Sequence, residues 1–141
     1  MSKTSPQTIA SAVALTTALV ARGSAINVLT LTSILLQLSY ATGTGGTGME
    51  YDIEISGAET EPSTDAQWWP AQMLVDESGV PASEVLTATS ARIVHQITTA
   101  QPRRAHWIDL RGVRWLRVRA KETGGAIGVA GTVTATGYGE Q

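Results

Sequence analysis

The sequence has no cysteine, which excludes a disulfide-stapled scaffold and a cysteine-ligated zinc site. It has no phenylalanine either, and aromatic residues make up only 5% of its 141 positions. The core must therefore be built from Val, Ile, Leu and Ala, with four Trp and three Tyr as the large pieces. No apolar run approaches the ~20 residues of a membrane span. The stretch "IASAVALTTALVA" from Ile9 to Ala21 is broken by Ser11, Thr16 and Thr17 and preceded by a single Lys. It reads as a first strand of the domain rather than a secretory leader.

Base is also missing where acid is plentiful. Between Gly23 and Ala91 there are nine acidic residues and no Lys or Arg. Between Arg92 and Lys121 there are eight basic residues, seven of them Arg, against Asp109 alone. Net charge is −2 and the isoelectric point about 5.6. An acidic chain without aromatics interleaved among its arginines does not fit a nucleic-acid binder.

What is present favours strands. Thr and Gly are abundant and hydrophobic residues make up 43%, as expected of a globular chain of strands and turns. Residues 1–7, "MSKTSPQ", read as a flexible polar arm. "VLTLTSILLQLSY" (Val28 to Tyr40) is β-branched and apolar, with a phase change at Thr32 and Ser33 that predicts a bulge or short break. "MEYDIEIS" alternates Met49, Tyr51, Ile53 and Ile55 with Glu50, Asp52 and Glu54, the period of a half-buried strand.

Between these two strands, Gly43 to Gly48 matches the dinucleotide-binding pattern G-x-G-x-x-G. In that motif the glycines open a helix whose N-terminus holds the pyrophosphate. Here they open a strand bearing three carboxylates, which repel phosphate. The expectation is a mobile hairpin loop and no nucleotide.

Residues 57–70, "GAETEPSTDAQWWP", form an acidic loop ending in Trp68 and Trp69. Further short strands are expected in "AQMLVDESGVP", with Asp76 to Gly79 as a turn, and in "SEVLTATS", "ARIVHQITT" and around Trp107 to Leu110. At the end, Leu116, Val118 and Ala120 alternate with Arg117, Arg119 and Lys121, and a Gly turn leads back through Val133 and Ala135 as a terminal hairpin. The expected fold is all-β: residues 1–141 as one two-sheet antiparallel β-sandwich, jelly-roll-like, with a polar N-terminal arm.

Candidate chemistry is thin. His106 and Asp109 make H-x-x-D, but no serine sits in a strand-to-helix elbow, and Glu59 and Glu61 stand in a loop. No catalytic, cofactor or metal residue is assigned. The charge layout allows two arrangements. Glu50, Asp52 and Glu54 can pair with Arg117 and Arg119 inside one sheet, or an acidic face of one copy can meet a basic face of the next. Trp68 and Trp69 face opposite ways if extended, so one is free to act as core while the other serves an interface or stacks on a sugar. The candidate interface is Trp68, Trp69, Arg103, Arg104, Arg117, Arg119, Glu50, Asp52 and Glu54.

The order "LQLSY", Gly loop, "EYDIEIS", "QWWP", short strands and "WLRVRAKETGGAIGVAGTVTATG" resembles small β-sandwich structural proteins of tailed-phage virions, including head-decoration (cement) proteins. The resemblance spans roughly Val28 to Gly137. It implies a passive, non-enzymatic role. The protein would bind the major capsid protein as a homotrimer and stiffen the head shell. It would be made in the host cytoplasm and sit on the capsid surface, with no direct contact to nucleic acid or membrane. A carbohydrate-binding module, or a tail or adhesion accessory protein, is the alternative.

Overall fold

The computed structural model describes residues 2–71, 73–75, 84–86 and 93–141, with backbone alone for 73–75, 84–86 and 93. Among these are twelve strands: β1 Gln7–Ala14, β2 Val20–Ala21, β3 Ile26–Asn27, β4 Ser33–Ala41, β5 Gly48–Ser56, β6 Trp69–Pro70, β7 Met73–Val75, β8 Glu84–Leu86, β9 Ile93–Thr98, β10 Arg103–Asp109, β11 Trp115–Thr123 and β12 Thr132–Glu140. The expected turn at Asp76 to Gly79, and Arg92, lie outside the described residues.

One sheet runs β1-β12-β4-β10-β7. The other runs β2-β11-β5-β9-β8, with β3 on β11 and β6 on β5. Every pairing is antiparallel. The two sheets pack face to face as a β-sandwich. Alternation decides the inner faces: Ile34, Leu36, Leu38, Val133 and Ala135 from the first sheet join Met49, Tyr51, Ile53, Leu116, Val118 and Ala120 from the second in one buried cluster.

Three expectations change in three dimensions. Residues 28–32 do not extend β4. Leu31 N–H donates to Val28 O (2.9 Å), so the phase change is a tight turn before the strand. The glycine loop is not a hairpin, because β4 and β5 lie in different sheets. The terminal pair likewise crosses over, β11 in one sheet and β12 in the other.

The two crossovers run against each other. Thr44 N–H donates to Val129 O (2.9 Å) and Gly128 N–H to Thr44 O (2.8 Å). Gly45 has φ 85°, and a Cβ there would stand 1.9 Å from Ala126 O. The glycines therefore serve close backbone approach, a packing role in place of a mobile tip.

The N-terminal arm is also placed. The backbone of Lys3 forms an isolated antiparallel β-bridge with that of Glu140, and Thr4 N–H donates to Gly139 O (3.0 Å), so residues 3–4 continue the β1 side of β12. Along that edge β1 slips register twice, and Ala12 takes φ 48° while its N–H donates to Thr134 Oγ1 (3.0 Å). Such irregularity blunts an edge strand against pairing with another chain.

Candidate functional site

The acidic and basic stretches meet inside one chain. In the β5–β11 ladder Glu54 stands opposite Arg117, Asp52 opposite Arg119 and Glu50 opposite Lys121. Arg117 Nε donates to Glu54 Oε1 (2.8 Å), and its Nη2 reaches Asp65 Oδ1 (2.8 Å). Arg119 grips Asp52 with two donors, Nε at 3.0 Å from Oδ1 and Nη2 on Oδ2, and its Nε also lies 3.0 Å from Glu54 Oε1. Lys121 Nζ lies 3.2 Å from Glu50 Oε2.

These are not free surface charges. Glu54 is 0% exposed and Asp52 3%, although both sit on the outward side of β5. The turn of 3₁₀ helix at Asp65–Gln67 and Trp68 close over them, with Trp68 buried and its ring 4.5 Å from the Arg117 guanidinium carbon. The hydrogen bonds to Asp52 raise the Arg119 pKa above its ordinary value, against the opposing effect of burial. Glu50, Asp52, Glu54, Arg117, Arg119 and Trp68 are thus engaged within the fold. This is the within-sheet arrangement of the two that the charge layout allows, with Asp52 and Glu54 matched by Arg117 and Arg119 and shielded from water.

The other candidates lie elsewhere. Trp69, on β6 beside Ile55, is 65% exposed. Arg103 is exposed and Arg104 half-buried at the start of β10. The two tryptophans do diverge, Trp68 into the fold and Trp69 out of it.

The H-x-x-D pair is split by strand geometry, since a spacing of three reverses the face. His106 points into the core, where Tyr51 Oη and His106 Nε2 are 2.6 Å apart and the His95 ring centroid is 4.4 Å away. Asp109 faces outward and takes two hydrogen bonds from the Arg111 side chain and one from its backbone N–H. These hold the Asp109 pKa down at about 2. Glu59 and Glu61 are exposed loop residues.

Glu122, the last inward residue of β11, is buried and accepts from Tyr40 Oη (2.6 Å) and from Gly131 N–H (2.9 and 3.0 Å). Burial, then the bond to Glu122, raise the Tyr40 pKa. A Cβ on Gly46 would stand 2.2 Å from Glu122 Oε2, so the carboxylate touches both crossover loops at once. The sequence hides this role, because Glu122 continues the apolar parity of Leu116, Val118 and Ala120.

Sequence reading also missed the outward face of the β1-β12-β4-β10-β7 sheet. Trp107 and Tyr138 stand in register on either side of Leu35, and Ala105 and Thr136 on either side of Gln37. Trp107 is 37% exposed and Tyr138 41%. The available signal was Leu35, an apolar residue out of phase with Ile34, Leu36 and Leu38.

The class that emerges is an all-β, two-sheet antiparallel sandwich with a buried ion-pair ladder and one open aromatic face. No family model matches the chain, and no curated protein does. Among solved structures, the crystal structure of SPBc2 prophage-derived protein YomS is similar to it. The alignment covers 98% of this chain and 92% of that one, at 14% sequence identity and a TM-score of 0.48.

Proposed function

We propose that this chain is a structural, non-enzymatic protein of a tailed-phage particle, a head-decoration protein that binds the major capsid protein as a homotrimer and stiffens the shell from its outer surface. Support comes from the resemblance of its strand and loop order to such proteins. One observation in the molecule carries it further: the use made of its charged residues. Glu50, Asp52, Glu54, Arg117, Arg119 and Lys121 brace two neighbouring central strands, and Glu122 ties together the two loops that cross between the sheets. A chain that commits its ionisable groups to bracing suits a passive load-bearing role. With the ladder engaged internally, Trp69, Arg103 and Arg104 remain as the sequence-derived contact residues.

The test is to mix the purified protein with empty shells assembled from the major capsid protein of its own phage, pellet the shells, and measure bound protein. Stoichiometric co-pelleting, with a trimer mass in sedimentation velocity, is the expected result. Protein that stays in the supernatant at micromolar concentration would end the decoration reading.

A further inference from the structure

We infer that the outward face of the β1-β12-β4-β10-β7 sheet is a carbohydrate-binding site that stacks an oligosaccharide on Trp107 and Tyr138. The two residues occupy one register row, with Leu35 of the central strand between them. Two strand spacings of ~4.8 Å put their backbones about 10 Å apart. Each therefore offers a separate platform to a saccharide chain lying across the strands.

The chemistry around the rings fits a sugar. A pyranose has faces of C–H bonds and a rim of hydroxyls. The electron-rich face of an indole or phenol ring attracts the polarised C–H groups. The rim needs groups that both donate and accept. Beside Tyr138, Gln37, Ser39, Thr134, Thr136 and Arg103 line a depression of about 520 Å³. A second depression of about 370 Å³ contains Trp107, Leu35, Gln37 and Tyr138, so the two adjoin at Gln37 and Tyr138. Both volumes fall in the range of small-ligand sites. Gln37 and Arg103 are exposed, Gln37 at the centre of β4 and Arg103 at the first position of β10, where it pairs with Ser39.

The size of the apolar surface argues for a sugar over a second protein. At roughly 150–250 Å² per aromatic side chain, exposures of 37% and 41% leave on the order of 150 Å² of ring surface. A stable protein interface buries about 800 Å² per partner, more than half of it apolar. Two rings set in a field of hydroxyl and amide groups fall well short of that, and are enough for two sugar residues.

The experiment is affinity electrophoresis of the intact protein through gels containing hydroxyethylcellulose, laminarin, galactomannan or polygalacturonate. Titration with the retarding polysaccharide follows, monitored by tryptophan fluorescence. Retardation in at least one gel is expected. Trp107→Ala and Tyr138→Ala should each weaken binding roughly tenfold or more, equivalent to ~1.4 kcal/mol. Trp107→Phe should keep most of it, and Trp69→Ala should leave it unchanged. Because Tyr138→Ala tests the site from a different strand, misfolding of one Trp107 variant does not remove the test. Absence of retardation in every gel would overturn the inference, as would retardation indifferent to both alanine variants. Concentration-dependent self-association abolished by Trp107→Ala would assign the face to a second copy of the chain instead.

Discussion

Arg119→Met removes the guanidinium that grips Asp52 with two hydrogen bonds and also meets Glu54. Both carboxylates are buried, and methionine keeps most of the aliphatic stem, so lost packing contributes little. Breaking a buried ion pair by removing one partner costs about 3–5 kcal/mol, because the remaining charge stays desolvated. Glu54 keeps Arg117, which places the expected loss near the lower end, about 3 kcal/mol. For a chain of this size, ~2–4 °C per kcal/mol turns that into a fall in Tm of about 6–12 °C. The assay is urea unfolding with and without Asp52→Asn in the same chain. The double variant should recover part of the loss, giving a coupling of at least ~1 kcal/mol. Raising salt from 0.1 to 1 M should change the wild-type value little, since screening acts weakly on pairs shielded from water. A loss within about 0.5 kcal/mol would place Arg119 among ordinary surface pairs and refute the ladder as a brace.

Val118 and Val133 are fully buried on the facing inner sides of the two sheets. Val118→Asp should therefore cost several kcal/mol by burying an unpaired charge, and a soluble variant with unchanged Tm would contradict the assigned inner face. Tyr40→Phe removes one of the donors to buried Glu122 and should cost about 1–3 kcal/mol in urea unfolding, and a loss below about 0.5 kcal/mol would contradict the role given to that carboxylate. The Asp109 carboxyl, followed by NMR, should titrate near 2. Since its folded pKa lies below the unfolded value of ~3.9, its contribution is present above about pH 4 and lost as pH falls through 2. Arg111→Ala should return the midpoint toward 3.9.

Much of the strand layout can be read from period-2 alternation. In "MEYDIEIS" and "LRVRAKET" every apolar residue lands on the inner face, Trp115 alone keeping the outward parity of the arginines, and the opposed carboxylate and guanidinium rows fall into register. What alternation cannot supply is which sheet the next strand joins. Glycine-rich turns after β4 and β11 look like hairpin loops, yet both connections change sheet. The backbone chemistry of a tight turn and of two loops passing closely is the same, and both select glycine. For this reason the pattern at Gly43 to Gly48 reads in the sequence as a mobile hairpin loop, while in the fold Gly43 and Gly45 approach the backbone of residues 126–130.

Alternation also tells which face a residue occupies without telling what covers that face. Glu54 and Leu35 make the point from opposite sides. Glu54 is outward on β5 by parity, yet Arg117, Trp68 and the loop after β5 shut it away from water, so a residue expected at a surface is 0% exposed. Leu35 is outward on β4 by parity, and there the sequence offers a discord, an apolar side chain at a polar position of a central strand. Such a discord has two resolutions: a loop folds over it, as over the outward side of β5, or the face stays open for a ligand. The register settles which groups share the position, Trp107 and Tyr138, and both remain more than one-third exposed. An uncovered apolar row, extended by aromatics from both neighbouring strands and edged by amide and hydroxyl groups, is a surface arranged for contact. It is therefore the place where the function of this sandwich is best sought.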